Sequence, residues 1–94
     1  MTYWNLAQAY RMNDDPKNAS MSRLRCWEIE VQYKDRLDVD VLYTAVAYLN
    51  DLIASDMRSV AQEFRAMIGK ELERLENLSE EQRKWKEKIQ RIEI

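Results

Sequence analysis

The stretch Val41-Leu42-Tyr43-Thr44-Ala45-Val46-Ala47-Tyr48-Leu49-Asn50-Asp51-Leu52-Ile53 decides the fold class. Leu42, Ala45, Val46, Leu49, Leu52 and Ile53 recur at spacings of three and four, the pattern of an amphipathic helix. Tyr43, Ala47 and Tyr48 widen the apolar arc beyond what one neighbour can cover, so this segment packs against more than one element. The spacing runs on through Met57, Val60, Ala61, Phe64, Met67, Ile68, Leu72, Leu75 and Leu78. It predicts one long central helix over about residues 38–77. Asp38 or Asp40 caps its start, where a carboxylate meets the positive end of the helix dipole. Gly69 falls in mid-pattern and marks a bend or a close helix crossing.

Upstream, Tyr3, Leu6, Ala7 and Tyr10 stack on one face of a short helix, and Trp4 widens that face. The helix stops at Asn13-Asp14-Asp15-Pro16, because proline drives the residue before it out of helical geometry. A second helix starts there, with Asp15 as N-cap and Pro16 in the first turn. Between Met21 and Leu37 two periods compete. Trp27, Ile29, Val31 and Tyr33 alternate with polar residues as in a strand, while Leu24-Trp27-Val31 and Cys26-Ile29-Tyr33-Leu37 are helical spacings. Helix is the favoured reading, since the only strand partner, residues 37–41, reads as a helix start. Residues 3 to about 35 then form a helical hairpin.

Downstream, Asn77 can take a left-handed helix stop, and Ser79 with Gln82 has the spacing of a capping box. A heptad register continues across that point, with Ala61, Ile68, Leu75, Gln82 and Ile89 at a and Phe64, Glu71, Leu78, Trp85 and Ile92 at d. The charged segment of about residues 80–92 therefore either continues the long helix or breaks near residue 78 and folds back. Charge is segregated here: residues 71–81 hold five Glu against Arg74, whereas residues 83–91 hold five Lys or Arg against Glu87. Adjacent blocks of opposite sign favour an antiparallel partner, acid facing base.

Composition agrees with a single small all-α domain over residues 1–94. Of the 94 residues, 46% are apolar and 34% charged, with one Gly and one Pro, too few turn formers for an all-β fold. No apolar run approaches the ~18 residues of a spanning helix, which argues against a membrane protein. Cys26 is the only cysteine, so no internal disulfide exists, and a cytoplasmic location is expected.

Trp4-Asn5-Leu6-Ala7-Gln8-Ala9-Tyr10, followed by Asp14 or Asp15 and Ala19, resembles the first helix and turn of a tetratricopeptide repeat. The resemblance covers about 17 residues, and the next period, near Leu37, has no matching Trp or small residue. It implies close packing of two helices and nothing further.

The chemistry is bounded by what is missing. With no His, a hydrolytic triad or histidine base is excluded, and one Cys does not make a zinc cage. Glu73 and Glu76, with Asp38/Asp40 or Asp51/Asp56, could hold Mg²⁺ in a nucleotide hydrolase, but the facing half of such a motif is absent and the acids read as solvated helix surface. Cys26 reads as a packed thiol. The basic run with Trp85 suggests phosphate contact, and the net charge of −2 opposes nucleic acid as a partner. Nine aromatic residues and the seam favour non-catalytic protein binding, by homo-oligomerisation or docking on a larger protein, without cofactor or metal. The residues expected at that interface are Phe64, Ile68, Leu75, Leu78, Trp85, Ile89, Ile92, Trp4 and Tyr10. A small regulator or inhibitor of a nucleic-acid enzyme is the alternative, with the Mg²⁺-dependent hydrolase second.

Overall fold

A computed structural model, which describes residues 2–94, is all-α. Five helices follow one another: α1 (Tyr3–Met12), α2 (Pro16–Tyr33), α3 (Val39–Ala54), α4 (Arg58–Arg74) and α5 (Glu80–Arg91). They form a slab measuring 41 × 28 × 18 Å, about two helix layers thick. Helix α3 lies in the middle, touching α2, α4 and α5, while α1 packs on α2. This is what the wide apolar arc of α3 demands. Val41, Leu42, Ala45, Val46, Tyr48, Leu49 and Leu52 are all buried.

Local capping chemistry sets several of the helix ends. The Asp15 carboxylate accepts from the Asn18 amide, and Pro16 stands in the first turn of α2. Helix α2 continues through Tyr33, so the helical spacing of residues 26–34 prevails over their alternation. Asp38 caps α3 by accepting from the Asp40 amide. Both halves of the Ser79/Gln82 capping box are present, and the second Gln82 function, its amide, donates to the Leu37 carbonyl at 2.8 Å. That bond ties the start of α5 to the start of α3.

The expected single helix over residues 38–77 does not exist. Helix α3 ends at Ala54, Asp56 adopts φ 59°, and the Asp56 and Met57 amides donate back to Ile53 and Leu52. This is a Schellman stop, closed by an aspartate in the left-handed position usually held by glycine. The left-handed conformation costs about 1–2 kcal/mol. Reversal lets α4 return Ile68 and Leu72 to the core, both fully buried, and each such side chain is worth about 1.5–3 kcal/mol. Burial therefore outweighs the strain. The chain reverses again after Arg74, so the heptad register does not continue across Ser79 and the C-terminal segment folds back.

This second reversal turns the expected seam inward. Ile68 and Ile89 are fully buried in the core, while Phe64, Leu78, Trp85 and Ile92 pack against it. Trp27, Phe64 and Tyr48 form an edge-to-face chain with centroid separations of 5.2 and 4.9 Å. Only Leu75, in the α4–α5 turn, is substantially exposed. Gly69 does not mark a close crossing, since a Cβ built there would meet nothing within 4 Å.

The seam is thus assigned to the interior of the single chain. In chemical denaturation Ile89→Ala is expected to lower stability by about 2–5 kcal/mol, and Leu75→Ala by less than about 1 kcal/mol. Equal losses at the two positions would contradict that assignment.

Candidate binding groove between α1 and α3

Helices α1 and α3 run parallel on either side of α2. Trp4 stands against Tyr43, centroids 5.3 Å apart, and seven residues further along α1 Arg11 pairs with Asp51 at 3.1 Å. Helix α2 runs the opposite way beneath them, Glu30 meeting Thr44 and Arg23 meeting Asp51. The backbones of α1 and α3 do not approach closely, and side chains alone bridge them. The result is a groove with walls from α1 and α3 and a floor from α2.

Two depressions lie along it. One, of about 270 Å³, is lined by Trp4, Cys26, Glu30, Asp40, Tyr43 and Thr44. The other, of about 220 Å³, is lined by Gln8, Arg11, Arg23, Ala47, Asn50 and Asp51.

The second depression is built on buried charge. Arg23 and Asp51 are 4% and 3% exposed, and Nε of Arg23 donates to the carboxylate at 3.0 Å. Arg11 donates to the other carboxylate oxygen. Arg23 also donates to the Gln8 carbonyl at 2.6 Å and lies 3.9 Å over the Trp4 ring. Burial pushes the Asp51 carboxyl upward, and the two guanidinium groups pull it back. Two cations face one anion, so this end carries one positive charge in excess. Nη1 of Arg23 has no hydrogen-bond partner.

The first depression has the opposite character. Glu30 accepts from the Thr44 hydroxyl at 2.5 Å and from the Cys26 thiol at 3.1 Å; among the described residues no cation lies within salt-bridge distance of it, Lys34 one turn on acting through space only. Asp40 is paired with Lys34 at the rim. Burial, followed by the hydrogen bond to Glu30, pushes the Cys26 thiol up from 9.0 to about 11. At neutral pH the thiol is therefore held protonated, which lowers its reactivity.

Beyond Tyr43 the aromatic surface continues to α5. Tyr43 is 53% exposed and meets Trp85 edge-on at 5.6 Å, and Lys88 lies 4.9 Å over Trp85. The structure thus brings together Trp4 and Trp85 through Tyr43. Tyr10 lies elsewhere, on the outer α1–α2 face with Tyr3, Met21 and Leu24. The acids considered for Mg²⁺ do not converge: Asp51 is held by two arginines, Asp56 pairs with Arg58, and no cluster of three or more metal-binding side chains occurs among the described residues. Composition gave no signal for Arg11, Arg23 or Glu30, because a charged residue on a helix reads by default as solvated. A signal did exist for Asp51, which sits one helical turn or less from Tyr48, Leu49 and Leu52 on an apolar helix.

Comparisons with protein families, with curated proteins and with solved structures found no match to this chain. The reading of the groove rests on its own geometry.

Two measurements check that geometry. Asp51→Ala strands the buried Arg23 guanidinium and is expected to cost about 3–5 kcal/mol, whereas Arg11→Ala, at a partly exposed position, should cost about 1 kcal/mol or less. The folded thiol of Cys26 holds its proton more tightly than the unfolded one, so its contribution to stability is full below pH 9 and is lost as pH rises toward 11. Alkylation by iodoacetamide at pH 8 should be on the order of 100-fold slower in the folded protein than in denaturant, from the thiolate fraction alone.

Proposed function

We propose that this protein is a non-catalytic protein-binding module that docks a larger protein partner on the α1–α3 groove. The observation carrying this reading is the groove itself: two parallel helices held apart by side chains, with the exposed Tyr43 ring at the rim between Trp4 and Trp85. Aromatic rings at a partly open, rigid site are the usual anchors of protein interfaces, because they contribute large contact area at small entropic cost. The floor is preorganised by the Arg23–Asp51 pair and the Glu30–Thr44 bond, so little ordering is left for the moment of binding.

The seam residues once open to self-association, Ile68 and Ile89, lie in the chain's own core. Docking on a different protein is therefore favoured over homo-oligomerisation. Nucleic acid fits the aromatic row poorly. Arg23 covers one face of Trp4 and Lys88 lies over Trp85, leaving few open ring faces for bases to stack on.

Affinity capture from the native host, with nuclease treatment, tests the reading. Tyr43→Ala removes the rim ring, and Ala47→Arg fills the groove without touching the core clusters. Each is expected to reduce recovery of the partner at least about tenfold while the unfolding curve stays in place. Leu75→Asp should leave recovery unchanged. Loss with Leu75→Asp alone, or recovery of nothing but an untagged copy of the chain, would overturn the proposal.

A further inference from the structure

The groove is bipolar, and its two charged ends have a fixed spacing. At one end Glu30, which makes no salt bridge among the described residues, lies beside the Trp4 and Tyr43 rings. At the other, Arg11 and Arg23 share the single carboxylate of Asp51, and Nη1 of Arg23 is unsatisfied although the residue is 4% exposed. Gln8 has spent its carbonyl on Arg23, leaving its amide donor, and the Asn50 side chain lines the same depression. The second end is therefore rich in donors and poor in acceptors.

We infer that the segment docked in the groove presents two opposite charges: a basic side chain to the Trp4–Tyr43–Glu30 end and a carboxylate to the Arg11–Arg23–Asn50 end. The inference rests on the docking reading above and adds the chemistry of the partner. An aromatic wall next to an unpaired carboxylate suits an ammonium or guanidinium group, which gains both cation–π and ion-pair attraction. The donor-rich end suits an oxyanion, which the partly exposed Arg11 guanidinium and the Gln8 and Asn50 amides can meet while Arg23 adds its charge from below.

Trp4 to Arg11 on one wall, and Thr44 to Asp51 on the other, are each seven residues of helix, about 10 Å at 1.5 Å per residue. A helical partner segment with Lys or Arg at one position and Asp or Glu seven residues away matches this span. A uniformly acidic or uniformly basic segment meets repulsion at one end.

The test uses the full ¹⁵N-labelled chain and three alanine-based helical peptides. One carries Lys and Glu seven residues apart, the second has the two in reverse order, and the third has Gln at both positions. One charge order is expected to give saturable shifts at the Trp4 indole N–H and the Arg23 Nε–H, with the Gln peptide at least about tenfold weaker. Glu30→Gln and Arg11→Gln should each weaken the preferred peptide about fivefold or more, and the thermal unfolding curve of each variant verifies the fold.

Equal binding of all three peptides, binding of none, or shifts confined to the outer face of α4 would overturn the bipolar assignment. Failure here with the Tyr43→Ala and Ala47→Arg capture losses intact would leave docking in the groove standing and remove only the charge pattern. Failure of both would remove the groove as the site.

Discussion

Burial of α3 on almost every side is the constraint on which the rest of the structure depends. Nine of its residues are buried, including Thr44 and Asp51, so a chain of 94 residues must arrange its other helices around it. Three helices do so directly, and two of the connecting turns, at residues 55–57 and 75–79, exist to bring α4 and α5 back onto it. The buried side chains form two clusters, both built on α3. The outward faces carry charge together with exposed apolar side chains, among them Met12, Met21, Tyr33 and Tyr43.

Helix α1 is attached differently. It packs on α2 through small residues, Ala7 and Ala19 being fully buried, and meets α3 through side chains, Trp4 against Tyr43 and Arg11 on Asp51. Arg23 joins both of these contacts, since one guanidinium stacks on Trp4, bonds Gln8 and pairs with Asp51. Buried ion pairs return little net stability relative to apolar packing, because desolvation consumes most of the attraction. The pair nevertheless links all three helices at one point, since Arg23 of α2 reaches Asp51 of α3 and Gln8 and Trp4 of α1.

Much of the fold was legible because turn chemistry announces itself. Asp15-Pro16, Asp38 and Ser79-x-x-Gln82 are capping signals, and each stands at a helix start. The reversal at Ser55-Asp56-Met57 was not legible, although it repeats the geometry of Asn13-Asp14-Asp15, where Asp14 also takes a positive φ and the same two backbone bonds close the helix. The first stop is followed by proline and the second is not. Without Gly or Pro, an uninterrupted apolar spacing reads as one helix, and only the tertiary benefit of reversal decides otherwise. Cap residues at 79–82 and a continuing heptad gave conflicting local signals, and the same tertiary benefit resolved them in favour of the cap.

The site was legible in its rings and hidden in its charges. Trp4 and Trp85 stood out as aromatic surplus, but their union through Tyr43 depends on α5 folding back, which no local pattern specifies. Arg23 and Asp51 were invisible for a deeper reason: a charged residue on a helix is solvated unless a partner from another element removes it from water, and partners from other elements are what a sequence does not display. Unpaired charges are common on the exposed helix faces; in the groove the imbalance involves floor residues removed from full solvation, Arg23 buried and Glu30 half-buried. The groove leaves one cation in excess at one end and, among the described residues, an anion without a salt bridge at the other. That separation is what the proposed docked segment would complement, a basic group at one end and a carboxylate at the other.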